Sequence, residues 1–450
     1  MAKNDFSKGS VWKCILTQAL PLTVAQLAQL LYNIVDRIYL GHMEGGDSIA
    51  LTGVGLTFPL VTLISAFSAL FGNGGVPLFS MARGAGNEER AKQIMGNAFG
   101  LLLCAAGVLT AICYLFAQPI LFAFGASEES YQYAIAYLRI YLAGTLFSMV
   151  STGMNGYINA QGFPKIGMMT VLLGAVTNII LDPIFIFALN MGVSGAALAT
   201  VISQSIAALW VCRFLFGRKI SIPLRRSTIR IRKDITRDIC KLGASNFIMT
   251  GTNFLVQVAC NSTLKIFGGD LYIGIMTVVS SVRDIFSLPV SGLIGGAQPV
   301  ISFNYGAKAY RRAKDGVRFN TFAGAAYTLA AWVVVLLCPR MLFRIFSDDL
   351  TLVDTGVQML KIYFFGFVFM SFQFAGQSTF QALGDARHAI FFSLLRKAFI
   401  VVPLTLLLPR VGFGVAGVFM AEPISNVVGG LASYITMRLT VYKKLTEKAE

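Results

Sequence analysis

Histidine and acid are what this 450-residue chain has least of for its size: two histidines, and 21 Asp plus Glu against 37 Lys plus Arg. His42 and His388 both fall at the ends of apolar stretches, so neither a histidine-built metal centre nor a hydrolytic triad has its parts. The chain carries no nucleotide-binding P-loop, a further part that an intramembrane enzyme could have used. Its seven cysteines are odd in number, contain no C-x-x-C pair and lie in or beside apolar segments, as small packing residues do. Charged residues are 13% of the chain, where a soluble protein has about 25%.

What fills the space is apolar. Hydrophobic residues make up 56% of the chain, and its mean hydropathy is +0.69. Helices rise 1.5 Å per residue, so apolar stretches of about 20 residues cross the roughly 30 Å hydrocarbon layer of a bilayer. The pattern predicts twelve such spans, at 14–40, 48–82, 94–117, 131–160, 166–189, 193–217, 239–267, 270–303, 317–338, 353–381, 388–409 and 413–437. This is an all-α polytopic membrane protein, with its first helix expected to be retained as a signal anchor.

The net charge of +16 would point to nucleic acid in a soluble chain, but here it is sorted by loop. One alternating set of loops and both termini hold 27 basic residues, and the opposite set holds four: Lys265, Arg340, Arg344 and Arg410. The positive-inside rule therefore places both termini in the cytoplasm of a plasma-membrane protein. Ten basic residues crowd between Arg213 and Lys241, a run suited to anionic headgroups. This run divides the chain into an N-lobe at 1–217, a basic linker at 218–237 and a C-lobe at 238–450.

The two lobes repeat one another. Pro77, Ser80, Gly84, Ala91 and Lys92 recur as Pro299, Ser302, Gly306, Ala313 and Lys314, each 222 residues later. The same offset joins Tyr141 to Tyr363, Gly162 to Gly384 and Gly195 to Gly417. Two homologous six-helix lobes, related by an axis along the membrane normal and enclosing a central cavity, are a transporter design.

Against this background an acid inside a span asks for a function. The stretch Q-L-L-Y-N-I-V-D at 29–36 buries Asp36, and at 100° per residue Gln29 and Tyr32 fall within about 40° of it. In the fifth span, N-I-I-L-D-P at 178–183 sets Asn178 and Asp182 one turn apart on one face. Pro183 removes the donor for the Ile179 carbonyl, giving a further hard oxygen for a small cation or a polar nest for a proton. Thr200 and Gln204 follow in the sixth span, again one turn apart. The offset of 222 pairs Asp36 with Val258, Asn178 with Ile400, Asp182 with Leu404 and Thr200 with Glu422, so the carboxylate pair belongs to the N-lobe alone. Glu422 is the remaining C-lobe acid, with Pro423 leaving a helix-kink role open. Adjacent Arg283 and Asp284 point about 100° apart and are expected to find separate partners.

These residues resemble a known family, the multidrug and toxic compound extrusion (MATE) transporters. The likeness rests on D-x-I-Y-L-G-H at 36–42, P-L-F-S-M-A-R-G-A-G-N at 77–87, its echo P-V-I-S-F-N-Y-G at 299–306, and N-I-I-L-D-P at 178–183. It implies an N-lobe proton or cation site formed by Tyr32, Asp36, Asn178, Asp182 and Thr200, with Na⁺ held by the last four if sodium is the ion. No cofactor is expected beyond the coupling H⁺ or Na⁺. The implied activity is export of small, often cationic organic compounds by antiport against that ion, from a monomer in the lipid bilayer and without an enzymatic step. The polar residues Gln29, Asn155 and Gln161, in or near spans, are candidate handles in the substrate cavity. A rival reading is a lipid-linked oligosaccharide or lipid flippase of similar architecture, which would show a cationic cavity built from residues such as Arg396 and Lys397.

Overall fold

The structure is a computed structural model and describes residues 4–41, 48–217, 220–346 and 349–448. His42, noted above at the end of the first span, lies outside the described residues. Twelve helical spans follow one another: α1 (Val11–Gly41), α2 (Gly53–Gly84), α3 (Glu88–Leu115), α4 (Glu128–Ala143 and Thr145–Ala160), α5 (Pro164–Ala188) and α6 (Gly192–Leu215) come first. The second set is α7 (Lys233–Phe267), α8 (Gly269–Gly306), α9 (Tyr310–Leu337), α10 (Leu350–Phe364 and Phe367–Ala382), α11 (Ala386–Val411) and α12 (Gly414–Glu447). Among the described residues nine are single helices long and apolar enough to cross a membrane, and α4 and α10 qualify as bent pairs. The remaining helix, α7, has 35 residues and carries Asn246, Asn253, Gln257 and Asn261 along its length, which dilutes its apolar character.

Several helices begin before their apolar runs do. α3 starts at Glu88 rather than 94 because the Asn87 side chain accepts from the Arg90 amide at 2.9 Å, an N-cap that carries the helix past its apolar part. α9 likewise starts early, at Tyr310 rather than 317, here without a side-chain cap, and extends through Arg311 and Arg312.

The 222-residue repeat is written into the backbone. Among the described residues, eight of the eleven with positive φ form pairs at that offset: Gly86 and Lys308, Gly162 and Gly384, Asn190 and Gly412, Gly192 and Gly414. α4 bends by 56° between Ala143 and Thr145, and α10 bends by 40° between Phe364 and Phe367. Gly144 and Gly366, again 222 apart, sit at these bends. A Cβ on Gly144 would lie 2.6 Å from a Val201 methyl, and one on Gly366 would strike the Pro423 backbone. Val201 and Pro423 are themselves 222 apart, so each bend is packed against the same position of its lobe's sixth helix.

The chain folds as two compact units, one of Met1–Asp5 and Leu20–Gly243, the other of Phe6–Ala19 and Ala244–Glu450. Phe6–Ala19 joins the second unit through Arg312, whose guanidinium donates to the carbonyls of Gly9 at 2.7 Å and Phe6 at 3.0 Å. Phe6 also packs edge-on to Phe303 at 5.7 Å. In the first unit the basic linker is docked rather than free. Ile222 and Leu224 are buried, the Leu224 amide donates to the Leu215 carbonyl at 2.8 Å, Arg232 reaches Gln93 at 2.6 Å, and Arg90 pairs with Asp234 at 2.9 Å.

Candidate functional site

The first unit holds a cavity of about 640 Å³ whose wall includes Gln29, Tyr32 and Asp36 from α1, Asn155 from α4, Asn178 from α5 and Thr200 from α6. Small residues make the room. Gly174 and Ala175 on α5 line it, and a larger side chain at either position would project into the space.

At one edge of the cavity the polar groups close up. The Asn178 amide nitrogen donates to Asp182 Oδ1 at 3.3 Å and to Thr200 Oγ at 3.4 Å, tying α5 to α6. These three side chains are 1%, 0% and 4% exposed. Tyr32 brings α1 to the same group, lining the same cavity wall as Asn178 and Thr200. Asp36 is half-buried on α1 and lies within range of the Asp182 charge. All five expected coupling residues thus meet around one point. Asp182 stands just behind the lining, and α5 passes directly after Pro183 into a π-helical turn over Ile184–Ala188. Such turns occur where a helix accommodates a proline and often at functional sites.

Two acceptors in this group have no donor: Asp182 Oδ2 and Asn178 Oδ1 are both buried without a hydrogen-bond partner among the described residues. A buried carboxylate oxygen and a buried amide oxygen left in this way form an electronegative recess, and a desolvated acceptor without a partner costs about 1–3 kcal/mol. The donor set is carboxylate, amide and hydroxyl oxygen, which suits a hard monovalent cation or a proton.

The candidate handles divide. Gln29 lines the cavity and donates to Asn33 Oδ1 at 3.4 Å. Asn155 lines it too, with its nitrogen on the Gly167 carbonyl at 3.1 Å and its oxygen without a donor. Gln161 does not line it. Its oxygen accepts from the Ile222 amide at 3.1 Å, so this side chain fastens the linker instead. The cavity also contains Tyr137, Tyr141 and Gln204, which the sequence reading did not assign to it. Tyr141 lines the cavity together with Ser148 and Gln204 and forms part of the polar wall.

The repeat positions in the second unit are built differently. Adding 222 to Gly174, Ala175 and Thr200 gives Arg396, Lys397 and Glu422, which are 5%, 6% and 4% exposed. Lys397 Nζ bonds both Glu422 oxygens at 3.1 and 3.2 Å, and Arg396 pairs with the same carboxylate. Arg396 and Lys397 sit on a π-helical segment, Leu395–Val401. Glu422 is therefore the centre of an ion triad as well as the neighbour of a helix proline. Arg283 finds a partner on another helix, donating to the Tyr363 hydroxyl at 3.0 Å, but it also folds back onto its neighbour Asp284 at 2.8 Å, a pairing the sequence reading did not expect. Where the first unit keeps an open cavity, the second is filled with salt-bridged side chains.

Comparison with known proteins agrees with this architecture. The Multidrug export protein MepA of Staphylococcus saprophyticus is 26% identical over 448 residues, covering 99% of this chain and 97% of that relative. MepA of Staphylococcus aureus is 24% identical over 436 residues, covering 96% and 95%. Among solved structures, the outward-facing conformation of a multidrug resistance MATE family transporter of the MOP superfamily superposes with a TM-score of 0.92 at 22% identity, covering 100% of this chain and 99% of that one. A MOP superfamily transporter from Pyrococcus furiosus gives 0.90 at 23% identity, with 99% of each chain covered. The MatE family model matches twice, at residues 21–184 and 243–407, and the two starts are again 222 residues apart. With both of its six-helix lobes matched by that model, the chain belongs to the MatE family of membrane transporters.

Proposed function

We propose that this chain is a secondary active multidrug exporter that antiports small organic, often cationic compounds against H⁺ or Na⁺ by alternating access, as a monomer in the plasma membrane with both termini in the cytoplasm. The observation that carries the reading is the buried Asp182 carboxylate with a donorless oxygen, beside the donorless oxygen of Asn178 and within range of Asp36. Two carboxylates in a dry site cannot both stay ionised without an added positive charge. One proton or one Na⁺ supplies that charge, drawing α1, which carries Tyr32 and Asp36, toward α5 and α6. Ion binding then shifts the balance of outward and inward states by its difference in affinity for the two. The cavity beside the pair, walled by Tyr137, Tyr141 and the amides of Gln29 and Asn155, offers aromatic faces to a cationic ring compound. The relatives named multidrug export proteins support this substrate class. A flippase would need exposed cations for a pyrophosphate, whereas Arg396 and Lys397 are buried on Glu422.

The test uses purified protein in liposomes, a fluorescent cationic dye as substrate, and H⁺ and Na⁺ gradients imposed independently. Wild-type efflux should follow one of the two gradients, and Asp36→Asn and Asp182→Asn should each lose gradient-driven efflux at least tenfold. Unimpaired ion-driven efflux in both variants would overturn the assignment.

A further inference from the structure

The second unit has a groove of about 850 Å³ that the transport site does not use. Its two long walls are α9 and α12. Along α9 the lining residues Asp315, Arg318, Phe322 and Ala325 fall on one face at helical spacing, charged at the start of the helix and apolar about 10 Å further in. Along α12 the order runs the other way in sequence and the same way in space: Tyr434 lies deep, and Arg438 and Tyr442 lie at the basic end.

The groove is therefore polar at one end and apolar at the other. At the polar end Arg438 lies over the Tyr442 ring at 4.1 Å, and Lys314 approaches that ring at 5.5 Å. Arg318 is exposed and makes no hydrogen bond or ion pair among the described residues, although Asp315 is one turn away. Arg312 is spent on the carbonyls of Phe6, Lys8 and Gly9 and on Asn304. The lining thus presents Arg318 and Arg438 to a ligand against the single acid Asp315. At the apolar end Phe372 and Tyr434 pack at 5.1 Å to form a floor, and Phe322, 73% exposed, forms an open side.

We propose that this groove binds an anionic glycerophospholipid of the surrounding bilayer, its phosphodiester between Arg318 and Arg438 and an acyl chain along Phe322, Ala325 and the Phe372–Tyr434 floor. The charge difference favours an anionic headgroup over a zwitterionic one, and basic recesses at helix ends are where such headgroups are held. The apolar length favours a lipid over a free anion, since a phosphate ion would leave the inner part of the groove uncovered.

Native mass spectrometry of the full chain, released from mild detergent with added phosphatidylglycerol, phosphatidylcholine or inorganic phosphate, tests this. Wild type should retain phosphatidylglycerol and lose it at least tenfold in Arg318→Gln/Arg438→Gln. Ala325→Trp, which keeps both charges and fills the inner groove, should lose it comparably and keeps the test open if the double variant fails to fold. Equal retention of phosphatidylcholine, displacement by inorganic phosphate, or undiminished phosphatidylglycerol in a folded variant would each overturn the proposal.

Discussion

The Asn178 amide gives its hydrogen to Asp182 at 3.3 Å, four residues on, and so fixes which carboxylate oxygen is left without a donor. This bond is the only donor recorded for the buried Asp182 side chain among the described residues. Asn178→Leu should leave both carboxylate oxygens without a donor and lower stability by about 1–3 kcal/mol. Adding Asp182→Asn should recover part of that loss, because the charge that needed the donor is gone. A double-mutant cycle on thermal unfolding in detergent reads the interaction directly; additive losses would show that the bond carries no energy.

The two glycine bends differ in what surrounds them. Gly144 faces only the Val201 side chain, whereas Gly366 faces the backbone of Pro423, which can give way only if its helix moves. Gly366→Ala should therefore cost more than Gly144→Ala, in the range of about 1–3 kcal/mol found for overpacked cores. Melting temperatures of the two single variants decide this, and equal shifts would mean that the backbone at Pro423 gives way as easily as the side-chain contact at Val201.

Much of this was legible in the sequence for a simple reason: a charge in an apolar run is conspicuous, and a duplicated lobe leaves a constant offset. Asp36, Asn178 and Asp182 stood out on those grounds, and the pairing of Gly162 with Gly384 marked turns that the backbone indeed makes in the same way. The rest was hidden because it depends on distant partners. Gln161 reads as a polar group near a span, yet what it meets is Ile222, 61 residues away. Tyr141 marks the repeat, but neither it nor Tyr137 signals a cavity, since tyrosines are common in membrane helices and only packing shows that these two line one. The offset already pairs Glu422 with Thr200 in the sequence, but only the packing shows that Arg396 and Lys397 close on that carboxylate.

Gln161 and Asn155 give a contrast that transport measurements can read. Gln161→Ala should leave the Ile222 amide without its acceptor, loosen the linker and speed tryptic cleavage at Arg225 and Arg226, with dye affinity unchanged. Asn155→Ala should leave cleavage unchanged and weaken dye binding severalfold, because that amide lines the cavity. Limited proteolysis beside a dye-binding titration separates the two, and the reverse pattern would exchange their roles.

The ion triad decides why one lobe is open and the other filled. Glu422→Gln should leave Arg396 and Lys397 buried against a neutral amide, a loss of about 3–5 kcal/mol typical of a broken buried ion pair. Removing all three charges together, as Arg396→Gly/Lys397→Ala/Glu422→Thr, installs the N-lobe residues and leaves no uncompensated charge. That variant should be more stable than Glu422→Gln, because an apolar void costs less than two stranded cations. It should also gain space where the side chains stood, measurable as a second equivalent of bound dye in equilibrium titration. A triple variant that unfolds below Glu422→Gln would mean that the triad's packing, rather than its charge balance, holds α11 to α12.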